Sequence, residues 1–139
     1  MNKILTFIVN EYKELLLLKG SPKDPQFNES FWYVVTGGYE KVDKILINTV
    51  KREVQEETGL ILKKSMYLNW IFKYKSLGKK CTEYAYISLV NKDKISLNEE
   101  NIDYKWCKLD EFIKKIRWYG DKNELREVLT YALDGKIYF

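Results

Sequence analysis

The chain has 139 residues and a formal net charge of +4, from 24 basic and 20 acidic side chains. Its 45% hydrophobic content argues against disorder, and the length suits one domain with a real core rather than two. Histidine is absent, which removes imidazole acid–base chemistry, catalytic triads and histidine-based zinc sites.

In chain order, residues 3–9 read as a first strand. They lack the apolar stretch and small-residue cleavage site of a signal peptide, so a cytoplasmic location is the expectation. Asn10-Glu11 marks a turn, and residues 12–19, with a run of four leucines, read as a buried second strand. Residues 20–30 hold both prolines and form a loop, in which Lys23 and Phe27, with Lys19 just before, are candidate substrate contacts. Residues 31–36 are a strand that feeds Gly37-Gly38, and residues 45–58 are a helix. Residues 65–75 and 80–90 are two strands joined through Gly78. In the second, Glu83 shares a face with Cys81, Ala85 and Ile87; it either approaches the site or sits at the strand's open end, and the open end is the expectation. A polar loop at 91–101 precedes a short strand at 104–109. Asp110 is a candidate cap for a helix reaching Ile116, and a last helix spans 122–133 with Leu125, Val128, Leu129 and Ala132 on one face. Cys81 and Cys107 make no C-x-x-C pair and read as reduced thiols. No run of about 18 apolar residues suggests a spanning helix. The basic residues are dispersed, so no nucleic-acid track is evident.

The densest chemistry lies in residues 52–60, Arg-Glu-Val-Gln-Glu-Glu-Thr-Gly-Leu. Glu53, Glu56 and Glu57 stand at i, i+3 and i+4, on one side of a helix, where like charges repel. With Leu46 at zero on the wheel, Val50, Val54 and Ile47 fall at roughly 40°, 80° and 100°, and Glu57, Glu53 and Glu56 at about 20°, 340° and 280°, so Glu57 and Glu53 lie nearest the stripe. These two carboxylates therefore border the core-facing side. Such groups need a cation or donors to offset desolvation, and a hard divalent ion held by oxygen ligands meets that need. Asp43 is placed to cap the start of the helix, and Gly59 to end it in the left-handed conformation.

This stretch resembles the box of the Nudix hydrolases, G-x5-E-x7-R-E-U-x-E-E-x-G-U with U aliphatic. Gly38, Arg52, Glu53, Val54, Glu56, Glu57, Gly59 and Leu60 match at the right spacing. Lys44 stands where the family usually has its first Glu, generally a supporting residue, so the departure bears on bracing of helix and loop more than on metal binding. The resemblance implies an α/β/α sandwich, a mixed β-sheet between α-helices, with residues 1–139 as a single Nudix domain. It implies a Mg²⁺-dependent pyrophosphohydrolase, with Mn²⁺ as a substitute. The substrate would be a nucleoside triphosphate or a related nucleoside-diphosphate-linked compound.

By the same resemblance Glu53, Glu56 and Glu57 are metal ligands, with Glu100 as a further carboxylate from a later loop and Glu99 as its alternate. Glu53 or a later acidic residue would serve as base, and Arg52 would orient the carboxylates. The main chain of Gly37 and Gly38 is placed to approach phosphate closely. Trp32, Tyr33, Tyr74, Tyr84 and Trp118 are candidates to stack on a planar base, although aromatic residues in strands are commonly core. Phe31-Trp32, Val35-Thr36-Gly37 and Trp118 near Asn123-Glu124 are similar in outline to dATP and dihydroneopterin triphosphate pyrophosphohydrolases. The alternatives are a nucleotide-sensing module that does not cleave, supported by Lys44, and an RNA 5′-end pyrophosphohydrolase. Nudix chains often dimerise, and a homodimer is compatible with the sequence. No membrane partner is expected.

Overall fold

The computed structural model describes residues 1–21 and 30–138. The loop candidates Lys23 and Phe27 lie outside the described residues. Seven strands belong to one sheet: β1 (Asn2–Val9), β2 (Leu15–Gly20), β3 (Trp32–Tyr33), β4 (Val35–Gly38), β5 (Lys64–Ser76), β6 (Lys79–Leu89) and β7 (Asn101–Cys107). Three helices accompany them: α1 (Leu46–Thr58), α2 (Leu109–Lys115) and α3 (Lys122–Leu133).

β1 organises the sheet. It runs parallel to β6 along its whole length, from Asn2 opposite Thr82 to Val9 opposite Leu89. On its other side it meets β2 only at Val9 and Leu15. The two strands then part, and β3 and β4 fill the fork. β3 pairs with β2, while β4 pairs with β1 from Lys3 opposite Gly38 to Thr6 opposite Val35. The single strand expected over residues 31–36 is therefore divided at Val34, because its two halves hydrogen-bond to different partners. The sheet is mixed and covered by helices on both faces, as an α/β/α sandwich requires.

Alternation on the strands explains the two layers. Leu5, Phe7, Val9, Leu15 and Leu17 pack against Phe112, Ile113, Leu125 and Leu129 of α2 and α3. Ile4, Ile8, Leu16 and Leu18 pack against Val50 and Val54 of α1. The leucine run is thus a strand buried on both sides, as its sequence suggested. Buried Thr6 and Ser88 hydrogen-bond to each other at 2.6 Å, so neither hydroxyl is stranded in the core.

Several boundaries differ from expectation. β2 begins at Leu15 because the Asn10 side chain accepts from the amides of Tyr12 and Glu14, and this turn consumes residues 12–14. β7 begins at Asn101, earlier than the expected 104, because it pairs with β2 out to Gly20. Asp110 does not cap α2, whose N-cap is Lys108; it sits in the first turn and pairs with Arg126 of α3. α3 has the expected span, and the Asp121 carboxylate caps it by accepting from the Asn123 amide. Among the described residues no helix is long and apolar enough to cross a membrane.

Phe112 is fully buried and meets the edge of Phe7 at 6.2 Å. Phe112→Ala should lower stability by about 3–5 kcal/mol, read from urea unfolding midpoints at unchanged m-value.

Candidate active site

α1 carries the acidic cluster, and its two ends are fixed differently from each other. Gly59 closes it with φ of 75°, and its amide donates to the Gln55 carbonyl. The Thr58 carbonyl then accepts from the Ser96 amide, which ties the helix end to the loop before β7. At the start, Ile45 is the N-cap and gives no side-chain bond, so the expected capping by Asp43 does not occur. Asp43 is instead buried beneath the helix start. Its carboxylate accepts from the Glu40 amide at 2.9 Å, from the Thr49 hydroxyl at 2.8 Å, and from Arg52 through both Nε and Nη2 at 2.9 Å.

This bidentate pair answers the question raised by Lys44. A brace from loop to helix is present, and Asp43, one position before the expected glutamate, supplies it. Lys44 itself takes φ of 68° and ψ of −51°, a γ-turn closed by the Ile45 amide donating to the Asp43 carbonyl at 2.8 Å, which leads the chain out of the short helical turn Lys41–Asp43. The Arg52 guanidinium holds the Asp43 carboxyl well below the usual carboxylate range. Arg52 also donates to the Gly38 carbonyl at 2.9 Å, to Glu53 at 2.8 Å and, more distantly, to Glu56 at 3.5 Å. Arg52 thus places positive charge beside two of the three glutamates, Glu53 and Glu56.

Glu53 and Glu57 are only 9% and 7% exposed, while Glu56 is exposed, in the order the helical wheel gave. Gly37 is what makes room for Glu53. A Cβ on Gly37 would lie 2.1 Å from the Glu53 carboxyl carbon, so only glycine fits there with Glu53 in place. Burial raises the Glu53 carboxyl, and Arg52 opposes the rise. Glu57 is pushed up to about 9, first by burial and then by the nearby charge of Glu100. Its Oε1 accepts from the Asn101 side-chain amide at 3.2 Å, and its buried Oε2 has no partner among the described residues.

Glu100 and Asn101 reach Glu57 through the sheet. The Ser21 amide donates to the Glu100 carbonyl at 2.8 Å, and Gly20 lies opposite Asn101. Both residues, with Glu57, line a small cavity of about 110 Å³ that Leu18, Tyr33 and Thr36 also border. A larger cavity of about 590 Å³ adjoins it and shares Phe31, Tyr33 and Thr36. Its walls include Phe72, Tyr74 and Trp118, with Lys3 and Glu83 among the polar groups. The whole is a cleft with an acidic end and an aromatic end.

A family model described as the NUDIX domain matches residues 2–128. The chain belongs to the Nudix family. It is 30% identical over 103 residues to the NAD-capped RNA hydrolase NudC of Mannheimia succiniciproducens, covering 71% of this chain and 36% of that protein. The Nudix chain described here thus spans about a third of that relative's length. Among solved structures it is similar to the MutT protein of Methanosarcina mazei Go1, at a TM-score of 0.73 and 24% identity, covering 96% of this chain and 92% of that one. It is also similar to the dihydroneopterin triphosphate pyrophosphohydrolase of E. coli, at a TM-score of 0.69 and 18% identity, covering 96% of each chain.

The Nudix box side chains Arg52, Glu53 and Glu57 are brought together with Glu100, while Glu56 stands at the exposed margin. Glu99 is exposed. Gly37 and Gly38 have the box itself as observed partners: one makes space for Glu53, the other gives its carbonyl to Arg52. Of the expected stacking residues, Tyr33, Tyr74 and Trp118 line the large cavity. Trp32 and Tyr84 do not. Trp32 packs on the core with the Lys19 ammonium over its ring, and Tyr84 faces the α1 side of the sheet beside Tyr67. Asn101 and Asp43 carry no site role in the sequence reading, and Glu83 is placed there at a strand's open end in preference to the site. The spacing of Asp43 to Arg52 was the available signal for one of them, and pairing across strands, invisible in sequence, decides the others.

The donor chemistry of the cluster fits a hard divalent ion, since its buried groups are carboxylate oxygens and one of them lacks a partner. Among the described residues no three acidic, cysteine or histidine side chains already close around one point, so bound metal would have to draw them in.

The depressed Asp43 carboxyl gives a stability test. Its contribution is complete above the unfolded carboxyl's ordinary value of about 3.9, and drains away as pH falls below that towards the lower folded value. Thermal melts of parent and Asp43→Asn should therefore differ by a constant gap between about pH 8 and 5 that narrows below about pH 4.

Proposed function

We propose that this Nudix chain is a single-domain, divalent-metal-dependent pyrophosphohydrolase of nucleoside triphosphates or related nucleoside-diphosphate-linked compounds. The observation that carries the reading is the buried Glu57 oxygen, without a partner among the described residues, beside Glu53 and Glu100 at the acidic end of a cleft whose other end is aromatic.

Bound Mg²⁺ or Mn²⁺ would neutralise phosphate charge and lower the pKa of a coordinated water. Glu53, Glu56, Glu57 and Glu100 are the residues that would hold it. Arg52 keeps Glu53 turned towards the cluster and offsets the repulsion among the glutamates. Asp43 holds Arg52, and Gly37 leaves Glu53 its space. Histidine being absent, a carboxylate is the proton acceptor of this reading, with Glu53 and Glu100 as the groups at the cleft's acidic end. The aromatic end would seat the base.

The alternative of a non-cleaving sensor draws on Lys44, and the Asp43–Arg52 pair, which braces loop to helix, weighs against it. The NudC relative brings NAD and NAD-capped RNA into the substrate set. Both contain a pyrophosphate link of the proposed type.

The test is a phosphate and pyrophosphate release screen over nucleoside triphosphates, pterin triphosphate, dinucleoside polyphosphates, NAD, NAD-capped RNA and 5′-triphosphate RNA, with and without Mg²⁺ or Mn²⁺. Turnover should require the metal, and Glu57→Gln should lower kcat about a hundredfold or more. Metal-independent turnover, or an unaffected Glu57→Gln, would sink the proposal. Gly37→Ala should lower kcat by about a hundredfold through displacement of Glu53, while the unfolding midpoint barely moves, since a side-chain end can yield.

A further inference from the structure

Glu83 stands apart from the acidic cluster and has no part in the chemistry above. Sequence alternation placed it at a strand's open end; the structure buries it, at 5% exposure, in the wall of the large aromatic cavity. Its Oε2 accepts from the Tyr74 hydroxyl at 2.9 Å. The sheet runs on there through main-chain pairing of Phe72 with Glu83 and Tyr74 with Cys81. A carboxylate in an apolar wall is costly unless donors meet it, and here one tyrosine does so on one oxygen.

The sheet register relates Glu83 to the Nudix box. Gly38, Lys3, Glu83 and Phe72 form a row across β4, β1, β6 and β5. Glu83 is thus two strand spacings from Gly38, about 10 Å. Tyr33 and Thr36 border both this cavity and the small one that holds Glu57 and Glu100. A ligand with phosphates at the acidic end would therefore bring its ring to Glu83. The surrounding walls are flat rings: Tyr33 lies stacked with Trp118 at 6.3 Å, and the Lys3 ammonium sits over Tyr74 at 5.9 Å.

We propose that Glu83 is a specificity-determining residue, its carboxylate reading the adjacent N–H donors of a 2-amino-4-oxo heterocycle, the edge shared by guanine and pterin rings. The inference rests on the reading of this cleft as the nucleotide site. A carboxylate only accepts, so it matches a ring edge offering two neighbouring N–H groups. Adenine and cytosine place an acceptor beside their amino group, and hypoxanthine lacks the amino group altogether. Burial raises the Glu83 carboxyl, while Tyr74 and Lys3 oppose the rise. Two further donors from the ring would favour the anion as well.

The test measures the full chain with Mg²⁺ by calorimetry against the α,β-imido analogues of GTP, ITP and ATP, whose bridge blocks the bond a pyrophosphohydrolase cleaves. kcat/KM is measured alongside for GTP, ITP, ATP and dihydroneopterin triphosphate. Guanine should be favoured over hypoxanthine and adenine by about tenfold or more, because a site built to pair with a ring N–H rejects the analogue lacking it. Glu83→Gln should bring the GTP to ITP ratio to within about threefold. A higher kcat/KM for the pterin triphosphate than for GTP names a pterin as the source of the edge, and the reverse names guanine. Equal affinity of the unaltered chain for the GTP and ITP analogues would overturn the proposal whether or not the variant folds. So would a preference for adenine, or an undiminished ratio in a folded Glu83→Gln. Discrimination in binding without turnover of any substrate would uphold the role of Glu83 and defeat the hydrolase reading instead.

Discussion

One guanidinium ties the helix start, the end of β4 and two of the glutamates together. Arg52 donates to Asp43 below the helix start, to the Gly38 carbonyl at the end of β4, and to Glu53 and Glu56 on its own helix. Arginine suits the post because its fork of donors is planar and permanently charged. Several acceptors converge on it from different parts of the chain, so the position of α1 over the sheet and the direction of Glu53 are fixed together. Remove that charge and the glutamates would be left to repel each other next to a buried aspartate with one partner fewer.

The sequence disclosed the parts of this arrangement that have a period. The helical wheel ordered Glu57, Glu53 and Glu56 by depth, and burial follows that order. Alternation separated the two faces of β1 and of the leucine run, and Gly59 stands in the left-handed cap expected of it. What escaped depends on partners rather than on period. The division of residues 31–36 into two strands follows from the parting of β1 and β2, which no local pattern announces. Asp43 offered itself as a cap by its place before an apolar run, yet a guanidinium nine residues later outcompetes the helix amides for it. Tyr84 and Trp32 had the right ring and the wrong side of the sheet or the wrong depth. Glu83 was placed correctly by face, but the cavity in front of that face is made by α2–α3 loop residues such as Trp118 and by β3.

The cleft also shows how a small mixed sheet gains two unlike environments from one surface. Its acidic end is built where α1 meets β4, and charge there is managed by arginine and asparagine. Its aromatic end is built on the opposite face, where β1, β5 and β6 meet the segment carrying Trp118. Residues in the fork, Tyr33 and Thr36, belong to both. The fork between β1 and β2 is thus the passage that joins the two faces of the sheet at the site.

The full-length parallel pairing of β1 with β6 bears on how the chain is made. β1 leaves the ribosome well before its partner: Ile4, Leu5, Phe7 and Ile8 are destined for burial, but partner residues 82–89 follow some eighty positions later. Until then its first half can pair only with β4, and its apolar faces have incomplete cover. Contacts so distant along the chain slow folding, because loop closure must precede the reward. The opening strand, central in the finished sheet, is among the last to be fully enclosed, and the interval before β6 emerges is when a nascent chain of this kind is most exposed to association with others.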